Sequence, residues 1–478
     1  MVRHMREFRN FLAGRFVPPA SSETIAVRNP TTGEIAAAVP AAIEAEALSA
    51  VAAARQAQAA WCALPAIARG DALRRLADAL TTRACEIGAA LAAESGKSLD
   101  DATGEVTYGV ELMRYHAEWA RRIEGEVIQS DNADETLILR REPVGVVACL
   151  IPFNYPIYTL VRKIAPALIA GNAVVVRPSN NTPLSSLVFA EAVQAAGLPK
   201  GLVSILAMNH DTARALCTHP AVGMITLTGS VAAGQVVLDH CKANIAKPSL
   251  ELGGKTPVIV EPDADIDAVA AMIVAAKMNH CGQVCTSPER LYVHEKVHDR
   301  LLASLRQAFS AQAFGDRAED PARMGPLVSD AARQRVHAMV ESARADGAIV
   351  ETGGFLPEGP GFFYPLTLLS GCRQDMEIVR EEVFGPVLAV LRYTTFEEAL
   401  ALASDHQYGL SAVLFTESYR KAMRAAATIE AGELYVNRLP ADPYQGFHAG
   451  WKKSGLGGDD GKHGMLEFTQ TRLVVFKH

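Results

Sequence analysis

Apolar residues recur three and four apart through residues 41–60, 66–94 and 100–121, between charged and alanine-rich turns, so the front of the chain reads as helices, the second stopping near Gly96. From Val144 the rhythm changes. Short Val/Ile/Leu runs at 145–151, 173–177, 202–206 and 223–228 alternate with helical stretches at 157–170, 183–196, 211–217 and 231–243. That alternation predicts right-handed βαβ units and a parallel, doubly wound sheet. A second α/β series starts near Pro257, with helices at 266–279, 296–313 and 329–346 and strands near 289–294 and 387–393. Two α/β domains are therefore expected. Residues 135–141 and 471–477 alternate apolar and charged positions like half-exposed strands, able to pair with each other or with another subunit.

A chain of 478 residues is long enough for two to four domains with their own cores, which excludes a disulfide miniprotein. Lys and Arg number 46 against 53 Asp and Glu, a net charge of -7 that indicates neither a nucleic-acid footprint nor an acidic disordered tail. The eight cysteines are scattered without a C-x-x-C pair, as in a reduced, cytoplasmic thiol set. The start of the chain is charged and lacks an apolar run behind it, so no signal peptide is expected. The longest uncharged run, 143–161, approaches membrane-spanning length, but Pro143, Pro152, Asn154 and Pro156 interrupt it. A buried strand followed by a functional loop is the better reading.

Several segments could carry chemistry. Met224-Ile-Thr-Leu-Thr runs into Gly229-Ser-Val-Ala-Ala-Gly234 and then a helix, which aims backbone N–H groups and a helix N-terminus at a phosphate. A plain βα turn is equally common, and the spacing is neither G-x-G-x-x-G nor a P-loop. Cys285, after Gly-Gln-Val and before Thr-Ser-Pro, lies in a loop where a thiolate can attack a carbonyl carbon. Glu251, beside two glycines, can swing as a base that takes a proton from water. Most isolated cysteines and glutamates do neither, and Cys281 is read as a buried hydrophobe. Asn154, flanked by Pro152 and Pro156, can donate to a developing oxyanion, although Asn beside Pro is more often a turn former.

Taken in order, Pro152-Phe-Asn-Tyr-Pro156, Ala170-Gly-Asn-Ala-Val-Val-Val-Arg-Pro-Ser179, Thr228-Gly-Ser-Val-Ala-Ala-Gly234, Glu251-Leu-Gly-Gly-Lys255, Gly282-Gln-Val-Cys285, Glu381-Glu-Val-Phe-Gly-Pro386 and Lys453-Ser-Gly455 resemble the aldehyde dehydrogenase superfamily along essentially the whole chain. The resemblance implies an aldehyde dehydrogenase-like α/β fold: a Rossmann-type coenzyme domain (1–122 and 142–251), an α/β catalytic domain (252–460) and a small β oligomerisation extension (123–141 and 461–478). It implies Cys285 as the nucleophile that forms a thiohemiacetal, Asn154 and the Cys285 N–H as oxyanion donors, and Glu251 as the base that activates water to hydrolyse the thioester. Glu382 and Phe384 would hold the nicotinamide ribose and ring. Gly229 and Ser230 would meet the pyrophosphate, with Phe153, Arg177, Ser179, Asn180 and Leu252 as further coenzyme contacts.

Three departures from the family bear on the coenzyme. Arg177 stands where Lys is usual, Asn180 replaces a frequent acidic residue, and the loop 207–213 lacks glycines, so an altered adenine pocket that tolerates NADP is expected, while the subfamily resemblance implies NAD as the favoured coenzyme. Within the superfamily the resemblance is greatest to lactaldehyde and glycolaldehyde dehydrogenases, through Ala117-Glu-Trp-Ala-Arg-Arg122, Glu126-Val-Ile-Gln-Ser-Asp131 and Gln445-Gly-Phe-His-Ala-Gly-Trp451. Arg162, Asp442 and His448 are the candidate partners of a small polar aldehyde, each equally able to be a structural residue. Arg162 would also suit an anionic substrate such as succinate semialdehyde. A coenzyme-free thiol hydrolase lacks a matching His/Asn signature near Cys285, and retention of Asn154, Glu251 and Cys285 argues against an inactive relative. The expectation is a cytoplasmic homo-oligomer, tetramer favoured, with a small aldehyde as substrate and neither metal, membrane nor nucleic acid as partner.

Overall fold

The protein is described from a computed structural model over residues 7–478, so the first six residues lie outside the described part. Five parallel strands, in the spatial order Val203–Ile205, Ala173–Arg177, Val146–Leu150, Val222–Thr228 and Lys247–Glu251, form the centre of the first sheet. Helices on its faces leave Val146–Leu150 wholly buried, which is why that run has no polar alternation. Sequence order reverses between Val146–Leu150 and Val222–Thr228. A crevice opens at such a reversal, outside the carboxyl ends of the strands, and here it lies between 151–154 and 228–230.

The second sheet is also mostly parallel, in the order Ile349–Thr352, Thr367–Ser370, Val387–Tyr393, Pro288–His294, Thr256–Val260, Ser411–Phe415 and Glu433–Val436, with Ile349–Thr352 antiparallel at the edge. Each sheet has its own apolar core. The remote segments meet as expected: Thr469–Lys477 pairs antiparallel with Glu135–Pro143 over its full length, and Glu126–Ile128 adds a third strand. Late residues also return to the first sheet, where Gly455–Leu456 pairs with Leu250 and Glu251, and Met465 and Phe468 join its core.

Two expectations need correction. The stretch 66–94 is two helices, Ala66–Thr82 and Ala84–Ser95, because Arg83 leaves the helical conformation (φ -106°, ψ 10°) and bonds Glu86 and Glu191. The front of the chain is not helical throughout: Phe11–Leu12 and Arg15–Phe16 form a hairpin, and Thr24–Arg28 pairs with Ile35–Pro40. The first turn needs positive φ at Ala13 (50°) and Gly14 (83°), a two-residue turn that an alanine disguises in the sequence.

Candidate active site

The helix Pro156–Ala170 is buried along its whole length, opens with Pro156 and closes on Gly171 in the left-handed region (φ 100°). Its N-terminus would leave N–H groups unpaired. Glu105 accepts from the N–H groups of Ile157 and Tyr158 at 2.9 and 3.1 Å, and Lys97 pairs with Glu105 at 2.5 Å while donating to the Asn154 carbonyl at 2.7 Å. This buried pair fixes the loop that carries Asn154. The Asn154 amide donates to the Gln283 carbonyl at 3.0 Å, which sets it beside the loop of Cys285.

Gly253 and Gly254 serve close approach rather than only freedom of movement. A Cβ on Gly254 would lie 2.3 Å from the Cys285 carbonyl oxygen, and one on Gly253 would lie 2.4 Å from the Glu382 carboxylate. Glu382 accepts from the Gly254 N–H at 2.8 Å. Burial and the Glu289 charge push its carboxyl up to about 8. Glu289 pairs with Lys255 at 2.6 Å and accepts from the N–H groups of Val383 and Phe384, holding Phe384 at φ 52° with its ring edge-on to Phe153, centroids 5.7 Å apart.

A cleft of about 1090 Å³ runs along the carboxyl ends of the first sheet to Cys285. Phe153, Arg177, Ser179, Gly229, Ser230, Glu382 and Phe384 line it, together with Asn154, Glu251 and Cys285. Its floor is the N-terminal turn of the helix Val231–Cys241, capped by Ser230, whose hydroxyl accepts from the Ala233 N–H at 3.2 Å. The Gly229 N–H is spent on the Glu251 carbonyl at 3.0 Å, so an anion here meets the helix start at Val231 and Ala232 instead. Asn180 and Leu252 do not line the cleft. Asn180 accepts from Arg177 at 3.3 Å, and Leu252 packs against Gly234, where a Cβ would meet it at 2.6 Å. The Arg177 Nε is buried without a partner. A cleft with a helix start, a free buried guanidinium N–H and a pair of aromatic rings fits a dinucleotide.

The other side of Cys285 is ionic. Arg162 makes two bonds to Asp460, at 3.2 and 2.5 Å, a third to Asp442 at 2.8 Å and a fourth to the Tyr158 hydroxyl at 3.2 Å. Burial opposes its charge, but Asp460, Tyr158 and Asp442 hold the guanidinium firmly protonated. Lys163 pairs with Asp459 at 2.7 Å. His448 stands between Glu251 and Glu433, at 3.3 Å from one and 3.0 Å from the other. Burial works against its charge too. The Asp442 carboxylate and the contacts with Cys285 and Glu251 outweigh it and keep the imidazole well above its ordinary value. Burial and Glu251 push the Cys285 thiol up to about 12, with His448 pulling the other way.

All three catalytic candidates thus meet in one place, and Arg162, Asp442 and His448 gather beside them. Lys97, Glu105, Glu289, Glu433, Asp459 and Asp460 were not singled out in the sequence; of these, only the adjacent pair Asp459-Asp460 behind two glycines offered a local signal.

A family model described as "Aldehyde dehydrogenase family" matches residues 16–474. The chain belongs to the aldehyde dehydrogenase family. It is similar to the lactaldehyde dehydrogenase of Escherichia coli (strain K12), 41% identical over 98% of each chain, and to a 3,6-anhydro-alpha-L-galactose dehydrogenase of Streptomyces coelicolor, 40% identical over 98% of this chain and 96% of that one. A mitochondrial succinate-semialdehyde dehydrogenase of Arabidopsis thaliana is 36% identical over 98% of this chain and 88% of that one. A crystal structure of the Escherichia coli lactaldehyde dehydrogenase superposes with a TM-score of 0.97 at 40% identity, covering 99% of both chains. This aldehyde dehydrogenase is accordingly an oxidoreductase of the α/β fold expected from its motifs, in a family that uses NAD or NADP. Among the described residues no helix is long and apolar enough to cross a membrane.

Proposed function

We propose that this aldehyde dehydrogenase oxidises a small uncharged 2-hydroxyaldehyde, lactaldehyde or glycolaldehyde, to the hydroxyacid, with NAD favoured over NADP. The observation that carries the substrate class is the state of Arg162. Its charge is already matched by Asp442 and Asp460, and in the whole net the three cations Arg162, Lys163 and His448 face five acidic side chains, Asp442, Asp459, Asp460, Glu251 and Glu433. A carboxylate such as that of succinate semialdehyde would meet net negative charge and displace an existing pair. A hydroxyl asks for less: acceptors from Asp442 and a donor from His448 or Arg162 are in place.

In this reading the Cys285 thiol gives up its proton to water as the sulfur attacks the aldehyde carbon, and the oxyanion is met by the second Asn154 amide N–H and the Cys285 backbone N–H. The bound nicotinamide supplies the hydride acceptor, and Phe153, Phe384 and Glu382 are the residues that would hold it. Collapse of the thiohemiacetal leaves a thioester on Cys285. Glu251, its carboxylate within 4.8 Å of the sulfur, takes a proton from water that attacks the thioester, and the acid departs as the thiol is restored.

Coenzyme-binding (1–122, 142–251), catalytic (252–460) and oligomerisation (123–141, 461–478) roles follow from the same reading. The half-exposed Leu473, Val475 and Phe476 and the exposed Val127 support a homo-oligomer, with a tetramer favoured. Eight free cysteines suit the cytoplasm. Values of kcat/KM for lactaldehyde, glycolaldehyde and succinate semialdehyde, each with NAD and NADP, test the proposal. The two hydroxyaldehydes should exceed the semialdehyde by about tenfold or more, and the opposite order would replace this reading with the anionic one.

A further inference from the structure

Three groups from remote parts of the chain converge beside the cleft. The Cys285 sulfur, a ring nitrogen of His448 and a carboxylate oxygen of Glu251 all lie within 4.8 Å of one another. A thiol, an imidazole and a carboxylate form a three-ligand set for a tetrahedral, sulfur-seeking cation, with the fourth position open to water. Convergence alone could serve catalysis only. Two further observations concern the far side of the imidazole. The Nδ1 atom of His448 is 3.0 Å from Glu433 Oε1, the outer-shell bond that fixes a ligating histidine's ring and leaves Nε2 facing the site. Glu433 is nine-tenths buried, and its second oxygen, Oε2, has no hydrogen-bond partner. Asp442 adds a carboxylate 3.8 Å from the same ring. The imidazole is thus ringed by carboxylates whose charge exceeds what Arg162 balances.

We propose that Cys285, His448 and Glu251 form a zinc site through which Zn²⁺ reversibly switches this enzyme off. Zn²⁺ displaces two protons to solvent, that of the Cys285 thiol and that on Nε2 of the His448 imidazolium, forming Zn–S and Zn–N bonds, and takes the Glu251 carboxylate as its third ligand. Nucleophile and water-activating base are then lost together, a consequence that rests on the function proposed above. Mg²⁺ and Ca²⁺ prefer oxygen cages and gain nothing from the sulfur. A second set, Glu433, Asp442 and His448, shares the ring but offers no sulfur, so zinc belongs on the Cys285 side.

The test uses the full-length enzyme freed of metal by a chelator. Zn²⁺ affinity is read by competition with a chromogenic chelator, and Co²⁺ serves as a spectroscopic stand-in that shows a sulfur-to-metal charge-transfer band. One equivalent of Zn²⁺ should bind and protect Cys285 from iodoacetamide, and Co²⁺ should give that band. Cys285→Ser and His448→Gln should lose the tight site, and Glu433→Gln should weaken it about ten- to a hundredfold. Coenzyme binding and circular dichroism verify that each variant is folded, and protection of Cys285 in the parent needs no variant. Absence of the band, no protection, or affinity unchanged in Cys285→Ser would overturn the site and leave adventitious binding only. Aldehyde oxidation in the presence of chelator is scored separately. An active enzyme without tight zinc overturns the metal site alone, and a zinc-binding chain inert toward aldehydes overturns the proposed function alone.

Discussion

The two sides of Cys285 are built by different means. The coenzyme side is a long cleft made from strand ends, a helix start and aromatic rings, and its sequence segments are contiguous: 151–154, 177–179, 228–233 and 382–384. The opposite side is a compact ionic net in which Arg162 and Lys163 reach across about three hundred positions of sequence to Asp459 and Asp460. One side offers shape and backbone donors to a large ligand. The other fixes charge, which under the proposed function lets a small neutral ligand be recognised by its hydroxyl.

Glu251→Gln should have the largest effect. If Glu251 serves only deacylation, the variant releases a burst of reduced coenzyme near one equivalent per site, and its steady-state rate falls about a hundredfold or more. Stopped-flow absorbance separates the phases, and an unchanged steady state would take the base role from Glu251.

The contrast between the two sides also predicts unequal costs. Arg162→Met leaves Asp442 and Asp460 buried without their partner and should lower unfolding free energy by about 3–5 kcal/mol. Arg177→Gln, which lines the cleft with a single hydrogen bond to the neutral Asn180 amide, should cost roughly 1 kcal/mol. Denaturant melts of both variants check this. Equal costs would mean that the ionic net is no more interdependent than the cleft.

A pH effect is expected on the coenzyme side. With its carboxyl pushed up to about 8, Glu382 carries a proton at neutral pH and becomes a full acceptor for ribose hydroxyls only as pH rises through that value. Coenzyme affinity should improve between pH 7 and 9 by about three- to tenfold. Titration by fluorescence should show this in the parent and a flat profile in Glu382→Gln; a flat parent would remove Glu382 from coenzyme binding.

The smallest effect expected is at Asn180. Its amide holds Arg177, and Asn180→Glu should bring a charge that repels a 2′-phosphate, shifting kcat/KM toward NAD by about tenfold at most. Because Asn180 itself does not line the cleft, an unmoved ratio would mean that Arg177 alone meets the ribose.

The same contrast decides what the sequence could tell. Strand-to-helix alternation and the motifs around Asn154, Gly229, Glu251, Cys285 and Phe384 are local, so the sheets and the convergence of the candidate site residues were legible. The Lys97–Glu105 brace beneath Asn154 and the Glu289 anchor of the Phe384 loop were not, because buried charges paired across sequence leave no periodic trace. His448 was visible as a candidate. Its place between Glu251 and Glu433 was not, since the backbone bridge that joins residue 448 to Asp459 creates it. The hairpin turn at Ala13-Gly14 hid for a simpler reason: alanine seldom takes positive φ.

Under the proposed function, Arg162 is neutralised by its carboxylates and therefore selects uncharged hydroxyaldehydes. Asp442→Asn tests it most directly, by removing one of the two carboxylates that hold Arg162. The ratio of kcat/KM for succinate semialdehyde to that for lactaldehyde, measured in parent and variant, should rise about tenfold in the variant from a low parent value. A parent that already prefers the semialdehyde, or a ratio that does not move, would contradict the account.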